Sequence, residues 1–407
     1  MKTSLLIFIA LTLLALGLMG CANITSQLTP TPTETPMPTL VPPKEISAPA
    51  PNQKPTLASN PNTQPTPNQK PPQQSAGNPG ATPPPNQKPP QASASTTTVA
   101  QQVGLILNTA KAFVGYTLFA PKHNGATYLI NNSGQVVHSW TASKYEPGQS
   151  VYLLENGHLL RACMTKGRLS TGGGEGGRVE EYDWDGKLVW EFDYSTDQRM
   201  QHHDIHPLPN GNILMLAVEK KTYDQAIAAG FSPSKLEGQV KRDGMILPDM
   251  VVEVKPTYPS GGQVVWEWHV WDHLIQDVDK TKSNYGNVAT HPELIQADDE
   301  GRAVPTFWNH MNSIDYNPAL DQILLSVRGN SEVWIIDHGT TTAEAASHAG
   351  GKRGKGGDLL YRWGNPQMYD AGTRDNQTFY QQHDAEWVEP GYPGAGNITV
   401  FNNGLVL

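Results

Sequence analysis

GQVVWEW, residues 262–268, is a glycine followed by an apolar strand that ends on tryptophan. The phrase returns as GQVVHSW (134–140), GKLVWEF (186–192) and GDLLYRW (357–363). Glycine supplies the turn, and the β-branched and aromatic run supplies the strand. Each phrase follows another strand-like run: ATYLIN (126–131), RVEEYD (178–183), MVVEVK (250–255) and EVWIID (332–337). Upstream of most of these pairs sits a turn leading into an apolar strand, as in LLENGHLLRAC (153–163), LPNGNILMLAV (208–218) and NPALDQILLSV (317–327). The last such unit is PGAGNITVF (393–401). A unit of about four antiparallel strands therefore recurs, its spacing stretched by insertions at 223–243 and 272–305. Repetition of this kind predicts an all-β fold, a β-propeller of four-stranded blades. A β-sandwich also has many short strands, but it gives no reason for one glycine-strand-tryptophan phrase to return four times.

Working outward from that repeat, a histidine stands at the same place in three of its hairpins. WNHMNSIDYNPALDQILLSVR (308–328) reads as a tight antiparallel pair with His310 entering and Arg328 leaving. HHDIHPLPNGNILMLAV (202–218) and QHDAEWVEPGYPGAGNITVF (382–401) place His203 and His383 likewise, whereas an earlier repeat has Val151 in this region. Equivalent positions of successive blades point at one axis. The repeat therefore predicts that His203, His310, His383 and Arg328 meet there. Three imidazoles and a guanidinium can donate to a tetrahedral oxyanion while one neutral imidazole attacks it. Three histidines alone would also suit a metal with an open position. The arginine favours a bound anion, beside which a fixed cation is useful.

Other residues near these motifs carry weaker signals. Asn309 and Asn312 are candidate substrate-binding donors or turn caps, and Asp384 reads as a turn residue. His202 and His206 read as neighbours of the cluster. The glycine run STGGGEGGR (170–178) lacks the GxxxxGK[ST] spacing of a phosphate cradle and reads as a flexible hairpin.

The N-terminal quarter has another composition. Lys2 followed by an apolar run from Leu5 to Leu18 forms a signal peptide over 1–20, and Leu18-Met19-Gly20-Cys21 predicts lipidation of Cys21. Residues 22–100 hold 20 of the 34 prolines, no Trp, Tyr or Phe, and PNQKP three times. Such a segment buries too little apolar surface to offset its ordering entropy. It is expected to be a disordered tether whose ends lie roughly 50 Å apart. All ten Trp and fourteen Tyr lie beyond it, so residues 101–407 are the expected folded domain. A net charge of −9 argues against a nucleic-acid partner. Cys163 is the sole cysteine of the folded part, which excludes an intrachain disulfide there.

Together, HHDI…LPNGN, NHMNSI…Arg328, QHDAEW and the opening GYTLFAP…TYLIN..GQVVHSW resemble the bacterial arylsulfate sulfotransferases over about residues 103–404. The resemblance implies a secreted six-bladed propeller with neither a nucleotide sulfate donor nor another cofactor. It implies transfer of a sulfuryl group from a phenolic sulfate ester to a phenol acceptor by a ping-pong route through a sulfohistidine. His383 matches the nucleophile; His203, His310 and Arg328 match the groups that hold the sulfuryl oxygens and assist the two phenols. A lipid anchor would hold this transferase at the bacterial cell membrane or outer membrane. Only four glycine-strand-tryptophan closings are present, with a fifth repeat opening at His383. About four and a half blades are therefore expected, the propeller being incomplete at its C-terminal side. Two other classes fit the motifs alone: a non-catalytic lipid-anchored binding propeller, and a metal-dependent propeller hydrolase or lyase built on the three histidines.

Overall fold

A computed structural model describes residues 104–165, 169, 171–297 and 303–404. The signal peptide, Cys21 and the 22–100 tether lie outside the described residues. The described part is all-β apart from short helical turns, and its sheets follow one another along the chain. The first sheet is β1 (Tyr116–Phe119), β2 (Thr127–Asn131) and β3 (Val136–Trp140). The second is a four-stranded meander of β4 (Pro147–Leu153), β5 (Leu159–Met164), β6 (Gly177–Tyr182) and β7 (Leu188–Asp193).

The third sheet begins with β8 (Arg199–Pro207) and β9 (Ile213–Glu219). An insertion follows, in which β10 (Lys221–Thr222) and β11 (Met245–Ile246) bracket helices α1 (Tyr223–Ala228), α2 (Pro233–Leu236) and α3 (Gln239–Asp243). The sheet is completed by β12 (Asp249–Pro256) and β13 (Gly262–His269). A second insertion carries the short parallel pair β14 (Leu274–Ile275) and β15 (Ile295–Gln296). The fourth sheet orders β16 (Met311–Asn317), β17 (Gln322–Val327), β18 (Glu332–Asp337) and β19 (Tyr361–Trp363), with helix α4 (Thr342–Ala345) before its last strand. The last described sheet pairs β20 (His383–Trp387) with β21 (Ile398–Phe401).

The sequence repeat maps onto this order strand for strand. The closing phrases are β3, β7, β13 and β19, the runs before them β2, β6, β12 and β18, and the apolar returns β5, β9, β17 and β21. Tryptophan recurs because it joins one sheet to the next. Buried Trp140 in β3 donates its indole N–H to the Asp183 carbonyl of the β6–β7 turn (2.9 Å). Trp190 in β7 donates to Gly261 before β13 (2.8 Å), and Trp268 in β13 to Gly357 ahead of β19 (2.7 Å). An indole thus fills the space between sheets while its one polar atom is satisfied.

Packing between sheets also explains why the return strand β9 is apolar at successive positions rather than alternating. Along β9, Ile213 and Met215 join Leu160, Val179 and Trp190 of the second sheet, while Leu214 and Leu216 join Ile323 and Leu325 of the fourth. A strand covered on both faces needs apolar residues at every position. The short helices are where the sequence reading was incomplete. Capping boxes at Thr222/Gln225 and Thr341/Glu344 start α1 and α4, so local capping turns parts of the loops helical. Cys163 is a free, buried thiol, as the cysteine count required.

The first strands of the four-stranded sheets and of the last sheet lie side by side: β4 against β8, β8 against β16, and β16 against β20. Every one of them carries a break in register. The breaks fall between Pro147 and Val151, Gln201 and Ile205, Met311 and Ser313, and His383 and Glu386. Such bulges re-aim side chains, and three of the four breaks fall at or beside the predicted histidines.

Candidate active site

His203 and His310 both adopt left-handed backbone, with φ of 46° and 53°. For a residue with a Cβ this costs on the order of 1–3 kcal/mol, and it persists only where neighbours enforce it. The bulges leave backbone N–H groups without strand partners, and side chains from neighbouring strands accept them. Asp249 of β12 takes the Met311 N–H (3.1 Å), and Asp204 of β8 takes the Ile314 N–H of β16 (3.0 Å). Ser313 and Asp315 of β16 accept in turn from Ala385 and Trp387 of β20 (2.8 and 2.7 Å). Burial of Asp204 pushes its carboxyl up to about 7 against these hydrogen bonds.

The predicted cluster assembles at this end of the strands. The rings of His203 and His310 stand 5.0 Å apart, and His310 stacks on Phe307 at 4.2 Å. Arg328 leaves β17 with its N–H on the His310 carbonyl (3.2 Å), and its guanidinium donates to Gln381 Oε1 (2.8 Å). His383 is half-buried, and its Nδ1 lies 2.9 Å from Asn403 Oδ1. Burial lowers His203 well below the usual imidazole range, helped by His202, His310, His383 and Arg328. Burial, then Arg328, His202 and His383, bring His310 down to about 3. At neutral pH His203 and His310 are thus uncharged imidazoles beside the Arg328 cation.

A cavity of about 610 Å³ opens beside His310 and Arg328, with Phe307 and Trp308 among its walls. Residues from both insertions complete it, including Gln239 and Val304. Neither insertion carried a functional signal in the sequence. Another cavity of about 590 Å³, bordered by Trp271, His291 and His348, is lined by none of the four cluster residues.

Asn312 and Asn309 are buried beneath the cluster. The Asn312 amide donates to the Gln382 carbonyl (2.7 Å), holding the chain just before His383, and Asn309 lies 3.4 Å from Asn330 Oδ1. Three further features escaped the sequence reading. His202 is no mere neighbour: it is fully buried, with Nδ1 3.0 Å from His203 Nδ1 and Nε2 2.9 Å from Asp249. The glycine run is not a free hairpin, because Gly174 accepts the His203 N–H (2.6 Å) and Glu175 bridges to His202. Gly174 has φ +67°, and a Cβ there would fall inside the His203 ring. Asn403 is the third. The His202-His203 doublet and the five clustered glycines were visible signals, but only the tertiary contact gave them meaning.

Among the described residues, one His/Asp group has the spacing to hold a metal ion: His273, His348 and Asp358. Asp358 Oδ1 lies 2.9 Å from His273 Nδ1 and 2.7 Å from His348 Nδ1. Ligands around a tetrahedral ion stand about 3.4 Å apart, given metal–ligand bonds near 2.1 Å. The contacts are therefore hydrogen bonds. They pin the loop that carries α4 against Trp268, whose ring stacks on His273.

Fold and site together define an all-β protein of successive antiparallel sheets with an imidazole-rich, cationic cleft beside an aromatic-walled cavity. Residues 91–406 match the family Arylsulfotransferase (ASST), and the chain belongs to that family. Family membership supports an aryl sulfotransferase working between aryl sulfate donors and phenol acceptors. No match was found among curated proteins. Among solved structures, the hydrazine synthase of Kuenenia stuttgartiensis is similar at 15% identity (70% of this chain, 68% of that one, TM-score 0.37). A Bacteroides caccae protein of unknown function is similar at 12% (71% and 65%, TM-score 0.34). A luciferin-regenerating enzyme is similar at 8% (70% and 68%, TM-score 0.30). Superpositions this loose say nothing about the site.

Proposed function

We propose that this chain moves a sulfuryl group from a phenolic sulfate ester to a phenol through a sulfohistidine on His383. The observation that carries the reading is the convergence of His203, His310 and His383, at or beside the register breaks of β8, β16 and β20, with Arg328 at the end of β17, where His310 and Arg328 line an aromatic-walled cavity. If His383 Nδ1 donates its proton to Asn403, its Nε2 carries the lone pair that attacks sulfur. Transfer of this kind passes through a loose transition state whose charge gathers on peripheral and leaving oxygens. Arg328, and His310 held neutral on Phe307, are donors fixed in advance for those oxygens, so they need no reorganisation as charge develops. Asn312 and Asn309 support these strands from beneath.

In the first half-reaction the His383 Nε2–S bond forms as the S–O bond to the first phenol breaks. In the second, the acceptor oxygen bonds to sulfur, the N–S bond breaks and His383 regains its lone pair. The test is intact mass and peptide mapping after incubation with an aryl sulfate and no acceptor. The expected outcome is one sulfuryl group on His383 that phenol removes; an adduct elsewhere, or none in an active preparation, refutes the assignment.

The wider reading makes the successive sheets blades of a propeller, with β4, β8, β16 and β20 toward its axis. It also has Cys21 as a lipid anchor and 22–100 as a tether, holding the transferase at a bacterial membrane. Cys21→Ser should abolish metabolic lipid labelling, and labelling that persists refutes the anchor.

A further inference from the structure

We infer that His202 and Asp249 act as positioning residues that make His203 the proton carrier of the transfer, an inference that rests on the sulfuryl-transfer reading. Three groups stand in line. Asp249 of β12 and His202 of β8 are both fully buried, and Oδ1 lies 2.9 Å from His202 Nε2, an ion-pair contact that lacks hydrogen-bond geometry. The other nitrogen of His202, Nδ1, lies 3.0 Å from His203 Nδ1.

The proton positions follow from what each atom can do. An ionised Asp249 can only accept, which places the hydrogen of the first pair on His202 Nε2. A neutral His202 then offers a lone pair at Nδ1, and His203 must donate from its own Nδ1. That leaves His203 Nε2 bare, and among the described residues no other hydrogen bond is made to its ring. Burial raises the Asp249 carboxyl, but His202 and the Met311 N–H both favour its ionised form. Fixing an imidazole tautomer through a second imidazole and a carboxylate gives that ring a defined base and a place to spread positive charge. His310 has no such support: it faces Arg328, His202 and His383, and rests on Phe307.

The proton balance closes over one turnover. As the acceptor oxygen attacks sulfur, its O–H proton passes to His203 Nε2 and the N–S bond to His383 breaks. His203 is then an imidazolium whose Nδ1–H points at His202, backed by Asp249. In the free enzyme His203 is neutral, so that proton is released to water between cycles; a proton taken up from water at His203 Nε2 when the next donor binds passes to the departing phenol oxygen as its S–O bond breaks. One proton enters from water and one returns to it per cycle, so the balance closes. The cation formed on His203 is opposed by burial and by His202, His310, His383 and Arg328, so the buried carboxylate behind it matters.

The experiment compares two donors, 4-nitrophenyl sulfate, whose phenolate leaves unaided, and phenyl sulfate, whose leaving oxygen needs a proton. Asp249→Asn and His202→Gln are expected to lose about 100-fold in kcat with phenyl sulfate but less than about 10-fold with the nitrophenyl ester, KM changing little. Equal losses with both donors, or no loss, would overturn the proposal, since a merely structural defect lowers both alike. Should either variant fail to fold, 15N-histidine NMR of the intact wild-type chain decides. A protonated Nδ1 and bare Nε2 on His203 supports the relay, and the opposite tautomer refutes it. Wild-type protein that transfers sulfuryl from neither donor would sink the functional reading, while the His203 tautomer would still test the relay.

Discussion

Replacing Gly174 by alanine adds one methyl group, yet the consequences can be worked through from geometry. The residue sits at φ +67°, where a side chain costs on the order of 1–2 kcal/mol. Its new Cβ would approach the His203 ring well inside the 3.0 Å that real Cβ contacts keep. Something must give by about 1 Å, and overpacking of this kind costs about 1–3 kcal/mol. His203 has little freedom to yield, held by its N–H on Gly174 O (2.6 Å) and by His202 at its Nδ1. The expected sum is about 2–5 kcal/mol of stability. If the ring retreats instead, a misplacement of about 1 Å at a reacting group can cost about 100-fold in rate. Urea unfolding and donor turnover should be measured on the same preparation, with Gly186→Ala as control. Gly186 has φ +82° and open space around it, so it carries the backbone cost alone and should keep its activity. Native stability and turnover in Gly174→Ala would refute the argument that this loop is pressed against His203.

Three further outcomes are expected. Arg328→Ala should fold and lose about 2–4 kcal/mol of transition-state stabilisation, with Arg328→Lys recovering only part because a point charge lacks the planar fork; near-native turnover would make Arg328 structural. Trp268→Ala should cost about 3–5 kcal/mol in urea unfolding, since the ring is fully buried and its N–H is bonded to Gly357; a loss under 1 kcal/mol would contradict its wedge role. Burial holds His206 down at about 4, so the unfolded chain takes up a proton there that the folded chain refuses. Its contribution is therefore complete above about 6.5 and lost as pH falls toward 4. His206→Gln should flatten the acid-side decline between those pH values, and an unchanged slope would show that His206 is not held neutral.

The sequence by itself determined the strand order, the all-β class and the four residues of the cluster. Those features rest on local periodicity, and a repeat carries its phase along the chain: His203, His310 and His383 lie in or just before the first strands of successive sheets, and Arg328 follows the strand paired with β16. Cys163, alone in the folded part, already ruled out a disulfide there. Only the tertiary structure decided the rest. His202 and Asp249 are 47 positions apart by number, and no spacing rule relates a buried carboxylate on one strand to an imidazole on another. The glycine run became a wall only when Gly174 met His203. The insertions became cavity walls only when Val304 and Gln239 came beside Arg328. The bulges that aim the histidines, and the left-handed backbone at His203 and His310, have no signature in residue type. Strain of that kind is enforced by neighbours such as Asp204 and Asp249 accepting orphaned N–H groups, and neighbours are what folding alone supplies.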